Sequence, residues 1–232
     1  MDSLPRRVIG IIRRPRPTFA RIITSPSWLP VLVATFLIMC ALLLSFTATD
    51  VGRQAFVDQW ERTRLAFGQS LDDTEYARME ARSVTLAPIY AVGSAVATAL
   101  IPFIVAGVVR LMLRAPAESA PSFIQVLAVL SHANVVFALR QLVTTPLAFV
   151  RESLSSATTL VQLVPSLDET SPVARFFGGV DLFVIWWIVV ASIGLSLLYR
   201  RPAKSLVMSM TLVYLALAAA AAIGMTVAGG SA

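Results

Sequence analysis

The chain has 232 residues, of which 57% are hydrophobic and only 14% charged, and its mean hydropathy is +0.78. Soluble domains carry roughly 25% charged residues, so this chain has too little polar surface to coat a globule in water. A net charge of +6 raises nucleic acid as a partner. The basic residues stand mainly at the ends of apolar runs, however, where membrane topology puts them, so no nucleic-acid partner is expected.

Residues 1–27 form a basic, amphipathic N-terminal segment. Leu4, Val8, Ile11 and Ile12 recur at helical spacing and share one face, flanked by Arg6, Arg7, Arg13 and Arg14. Pro15 and Pro17 break this helix, and Thr18 is placed to cap a short second turn carrying Phe19 and Ile22. A helix of this pattern lies in the headgroup region and is drawn to anionic lipids. The arginines also hold the end of the first span in the cytoplasm.

The first span covers about 28–47. It is longer than the core of a signal peptide and no A-x-A site follows, so it reads as an uncleaved anchor. Cys40, the single cysteine, lies within it, which excludes an intramolecular disulfide or a CxxC metal site. A polar, acid-rich extracytoplasmic insert, 48–82, comes next. Phe56 and Trp60 suggest a surface helix there, and Thr74 is a candidate cap for a second helix.

The second span runs over about 84–109. Gly93 and Ala97 make a small-xxx-small pair, which lets helices approach closely where lipid removes the hydrophobic drive. Pro102 removes a backbone donor and should free the carbonyl of Thr98. Arg110 and Arg114 end the span, and APAESAP makes a turn. The third span, about 122–143, is the most polar. Gln125 and His132 are seven residues apart and share a face, Asn134 points nearly the opposite way, and Arg140 stands near the far end. Polar groups on two sides imply a helix surrounded by others, with His132 hydrogen-bonding across helices.

Residues 144–176 suggest a short interfacial helix begun at Ser153 and stopped by Pro165, followed by the polar loop DETSPVAR. The fourth span, about 177–199, contains Asp181, Trp186 and Gly194. The fifth, about 205–227, carries an alanine run for close packing. The cytoplasmic segments 1–27, 110–121 and 200–204 hold eleven of the nineteen Lys and Arg residues. The N-terminus is therefore expected in the cytoplasm and the C-terminus outside. That orientation brings Arg140 and Asp181 to similar depth on adjacent antiparallel spans, where charges within a bundle seek a partner. An ion pair between them is expected.

The fold expected is thus all-α: a polytopic membrane protein of five transmembrane helices with an N-terminal amphipathic interfacial helix, the transmembrane domain covering 28–232. Three stretches together resemble the Yip1 family of integral membrane proteins: RPRPTFARIITSPSW (Arg14–Trp28), FIQVLAVLSHANVVFALRQL (Phe123–Leu142) and DLFVIWWIVVASIG (Asp181–Gly194). The resemblance implies a five-span helical fold and highlights Pro17, Phe19, Pro26, Asp181, Phe183, Trp186 and Gly194 as supports of fold or assembly. Eukaryotic members act in membrane traffic with Rab-type GTPases. They carry a longer hydrophilic N-terminal region that this chain lacks, which makes GTPase binding doubtful. The short Arg-rich form resembles prokaryotic members and implies an inner or plasma membrane.

No reaction is expected. Ser131 adjoins His132, but neighbours on a helix do not face each other, and no HExxH or phosphate loop is present; no metal and no cofactor are expected. The leading expectation is an integral membrane scaffold or accessory subunit that associates with another membrane protein, such as a transporter complex, or with itself. The alternative is a small transporter or channel using the polar residues of the third span.

Overall fold

Proline opens the first two helices, where its missing N–H costs nothing because that donor would be unsatisfied anyway. In the computed structural model, which describes residues 3–113, 120–164, 166–167 and 171–229, helix α1 runs Leu4–Arg13 with Pro5 in its first turn. Helix α2 runs Pro15–Thr24. Thr18 does not cap a second turn. It sits one turn into α2, where its hydroxyl donates to the Arg14 carbonyl at 2.9 Å.

The remaining helices are α3 (Leu29–Thr47), α4 (Asp50–Ala66), α5 (Asp73–Met112), α6 (Phe123–Ala133), α7 (Val135–Arg151), α8 (Pro172–Gly178), α9 (Leu182–Tyr199) and α10 (Ala203–Gly229), with a 3-10 turn at Leu160–Leu163. Among the described residues no strand forms. Five segments are long and apolar enough to cross a membrane: α3, α5, α6 with α7, α9 and α10. The architecture is an all-α, five-span membrane protein.

Several elements depart from the pattern read in the sequence. The second span is part of one 40-residue helix, about 60 Å long and twice the hydrocarbon thickness. Its cap is Asp72, whose carboxylate accepts from the Glu75 amide at 2.7 Å, and not Thr74. The third span extends to Arg151 and is broken at Asn134. No helix starts at Ser153; hydroxyl-rich SLSSATT engages other partners, described below, and such side chains compete with helical hydrogen bonding. The fourth span starts at Leu182 rather than Phe177. Ser171 caps α8, its hydroxyl accepting from the Ala174 amide at 3.1 Å, so part of DETSPVAR is helical. Arg114, Pro165 and residues 168–170 lie outside the described residues.

The chain divides into two compact units that are discontinuous in sequence. One comprises Met1–Met39, Ala95–Leu139 and Phe183–Thr211; the other comprises Cys40–Ser94, Arg140–Leu182 and Leu212–Ala232. In the first, α1 and α2 pack on each other and on α6. Ile11, Phe19 and Ile22 are buried there together with Val126, Val129 and Leu130 of α6 and Ala191 and Leu195 of α9. Trp28 meets Phe103 edge-on at 5.5 Å. The N-terminal segment therefore packs through one face, carrying Ile11, Phe19 and Ile22, on the spans of its unit.

In the second unit Phe56, Val57 and Ala87 form a buried cluster, against which Tyr76, Met79, Leu86 and Leu154 pack. Phe46 and Phe149 meet edge-on at 4.8 Å. The reversal from α3 to α4 is tight: Thr49 caps α4 by accepting from the Gly52 amide at 3.1 Å. A Cβ at Gly52 would overlap the Phe46 carbonyl, so only glycine fits there.

Candidate functional site

Arg140 lies on α7 and Asp181 one residue before α9, and both belong to the second unit. They meet. Arg140 Nη2 lies 2.9 Å from Asp181 Oδ2, and Arg140 Nε donates to the same oxygen at 3.0 Å. Two hydroxyls converge on that oxygen as well, Ser156 Oγ at 3.1 Å and Thr158 Oγ1 at 2.7 Å. Arg140 Nη2 in turn donates to Ser156 Oγ at 2.9 Å.

The backbone holds this knot from both sides. An isolated antiparallel bridge joins Thr159 and Asp181, with Leu160 N donating to Val180 O at 2.9 Å and Leu182 N to Thr158 O at 3.0 Å. The Asp181 amide donates to Tyr214 Oη at 2.8 Å, and that hydroxyl donates to Gly179 O at 2.9 Å. In the stretch 156–159 the hydroxyls of Ser156 and Thr158 serve Asp181 and not a local helix. Ser156, Thr158 and Tyr214 carry no sequence signal of their own; the hydroxyl-rich run before an intramembrane aspartate is the only hint.

Chemically, the arrangement neutralises a charge and ties the start of α9 to the body of α7 and to the loop carrying Ser156 and Thr158. Asp181 is only 8% exposed at its side chain, against 30% for Arg140. Asp181 Oδ2 thus accepts from one guanidinium and two hydroxyls at once.

The second polar constellation, in the first unit, surrounds Asn134. Its side-chain oxygen accepts from Trp187 Nε1 at 2.9 Å, and its side-chain nitrogen donates to the Thr98 carbonyl at 3.1 Å. That carbonyl is the one left without its helical N–H donor by Pro102. The break between α6 and α7 turns Asn134 toward it. Phe137 stacks on Trp187 at 5.6 Å. The indole that donates here is Trp187, 4% exposed. Trp186, the one picked out from sequence, is half-buried beside Phe183 at 5.7 Å.

The other residues singled out from sequence are placed as follows. Gln125 completes a capping box at the start of α6 rather than a membrane-interior polar face: Ser122 N donates to its Oε1 at 2.9 Å, and its own amide donates to Ser122 Oγ at 3.2 Å. His132 is fully buried. Its Nδ1 donates to Ala128 O of its own helix at 2.8 Å, not across helices. Its Nε2 and the neighbouring Ser131 Oγ are buried with no hydrogen-bond partner among the described residues.

Gly194 packs as a contact point between helices: a Cβ there would overlap Val129 Cγ1 of α6 and lie 3.0 Å from Phe19 Cδ1 of α2. Phe19 is consequently buried completely, and its expected place at the membrane surface is wrong for the side chain. A ring that large fills the groove a glycine leaves open. Gly93 and Ala97 are exposed, and a Cβ at Gly93 meets nothing within 4 Å. The small residues that α5 buries are Ala87, Ala91 and Ala95, two residues out of register with the expected pair. Arg6, Arg13 and Arg14 are exposed, and the half-buried Arg7 donates to Ser27 Oγ at 2.7 Å.

The sequence profile of the Yip1 domain matches residues 9–225, nearly the whole chain. The chain belongs to the Yip1 domain family. No curated protein and no solved structure gives a match. Each of the three stretches that carry the resemblance supplies a knot of this Yip1 domain: Phe19 from the first, Asn134 and Arg140 from the second, and Asp181, Trp187 and Gly194 from the third.

Proposed function

We propose that this Yip1 family membrane protein is a non-enzymatic scaffold or accessory subunit that works by lateral association of its spans with another membrane protein or with a second copy of itself. The observation that carries this reading is the state of α5. Its Gly93 and Ala97 are exposed, so this small-residue pair stands available for close approach by a helix from outside the chain. The ionic and amide groups of the spans support the same reading, since Arg140, Asp181 and Asn134 are engaged in internal bonds. The excess of basic residues in 1–27 and 200–204 supports a cytoplasmic N-terminus.

The test is photocrosslinking in intact membranes from a reactive amino acid at position 97. A single discrete protein adduct, lost on Gly93→Leu without a change in thermal stability, is the expected result. Adducts with lipid alone, and a strictly monomeric chain, would refute it.

A second reading, a small transporter or channel, is favoured by one observation: the adjacent buried Ser131 Oγ and His132 Nε2 lack partners among the described residues. With Cys40 replaced, the chain has no other cysteine, so cysteines introduced at 131 and 132 report water access directly. Labelling at both by a membrane-impermeant thiol reagent would favour a pathway, and protection of both would exclude it.

A further inference from the structure

Between α1 and α2, within the first unit, an open cleft of about 420 Å³ is lined by Arg6 and Arg13 of α1, Arg14 at the junction and Arg21 of α2. That size falls in the range of small-molecule sites. Its floor is the contact of Gly10 with Thr18, where a glycine lets the two helices touch. Among the described residues no carboxylate lines it. Asp2 is the one acidic residue before Asp50 in the sequence, so the guanidinium groups of Arg6, Arg13 and Arg14 gather in a strongly basic segment.

Guanidinium forks match phosphate oxygens in a planar, two-point geometry, which makes the cleft a phosphate site by chemistry. Two further features select the source of the phosphate. Ile9, which also lines the cleft, is 52% exposed; an apolar residue beside basic walls suits a glycerol and acyl chain and gives a soluble phosphate ester nothing. Only residues 25–28 separate α2 from the first span, so the cleft stands at the level of lipid headgroups.

We propose that this cleft seats one anionic phospholipid headgroup bearing at least two negative charges, as a stoichiometric site distinct from diffuse attraction to a charged surface. The site makes the N-terminal hairpin a reader of lipid composition. The cleft binds its lipid whether or not the spans meet the protein partner proposed above.

The experiment is native mass spectrometry on the full chain in detergent, titrated separately with cardiolipin, phosphatidylcholine and inorganic pyrophosphate. One cardiolipin per chain is expected to be retained, with phosphatidylcholine and pyrophosphate bound far more weakly. Each surface arginine is worth roughly a fivefold change in binding to anionic lipid, so R13Q/R14Q should weaken cardiolipin binding about 25-fold. R200Q/R201Q removes the same charge from the exposed turn between α9 and α10 and should change it less than about twofold. Equal losses in the two double variants, or cardiolipin retained no better than phosphatidylcholine, would overturn the site. Pyrophosphate binding as tightly as cardiolipin would overturn the lipid as its occupant.

Discussion

Replacing Arg140 by Gln removes the guanidinium from a carboxylate that the fold keeps buried. Two guanidinium nitrogens contact Asp181 Oδ2 at 2.9 and 3.0 Å. Hydrogen bonds to charged groups are worth about 1.5–3 kcal/mol each, which gives roughly 3–6 kcal/mol before solvent is considered. The Arg140 side chain is 30% exposed, so water reaches the site and screens part of that; about 2–3 kcal/mol should remain. Asp181→Asn keeps an acceptor for Thr158 but strands the guanidinium, at about 2 kcal/mol. If the two side chains act on each other, R140Q/D181N should cost about as much as one single variant, a coupling of about 2 kcal/mol. Unfolding of all four proteins in mixed micelles, followed by tryptophan fluorescence, measures this. Costs that add to within about 0.5 kcal/mol would refute the coupling.

Asn134→Ala should destabilise by about 1–2 kcal/mol, because it leaves both Trp187 Nε1 and the Thr98 carbonyl without their bonds. Pro102→Ala restores a helical donor to that carbonyl, so the loss should shrink when both changes are present in the same unfolding assay. Gly194→Ala should cost about 1–3 kcal/mol by overpacking against Val129 and Phe19, and adding Val129→Ala should recover part of it in thermal unfolding. Trp187→Phe should lower the melting temperature more than Trp186→Phe, since only Trp187 loses a buried hydrogen bond; equal shifts would contradict the placement of Asn134.

Much of this protein is legible in its sequence because lipid imposes a one-dimensional rule. Backbone groups in hydrocarbon must be satisfied within the helix, so an apolar run of about 20 residues declares a span wherever it occurs. The same rule makes charges inside such runs rare, so Arg140 and Asp181 stand out against their apolar neighbours in the bare sequence. Pro102 also states its consequence in advance, since it leaves the Thr98 carbonyl without a helical donor.

What the sequence could not decide was rotation about each helix axis and the identity of partners from distant segments. Periodicity marks Gly93 and Ala97 as readily as Ala91 and Ala95, and only packing reveals that the second pair is the buried one. Trp186 and Trp187 are equal on paper; the position of Asn134 selects between them. Phe19 has the pattern of a membrane-surface ring until Gly194, 175 residues further on, offers it a groove. Ser156 and Thr158 leave the helix expected of their segment because a buried carboxylate outcompetes a local hydrogen bond. Spans are set by solvent, which every residue meets alone; contacts are set by shape, which only the assembled bundle possesses.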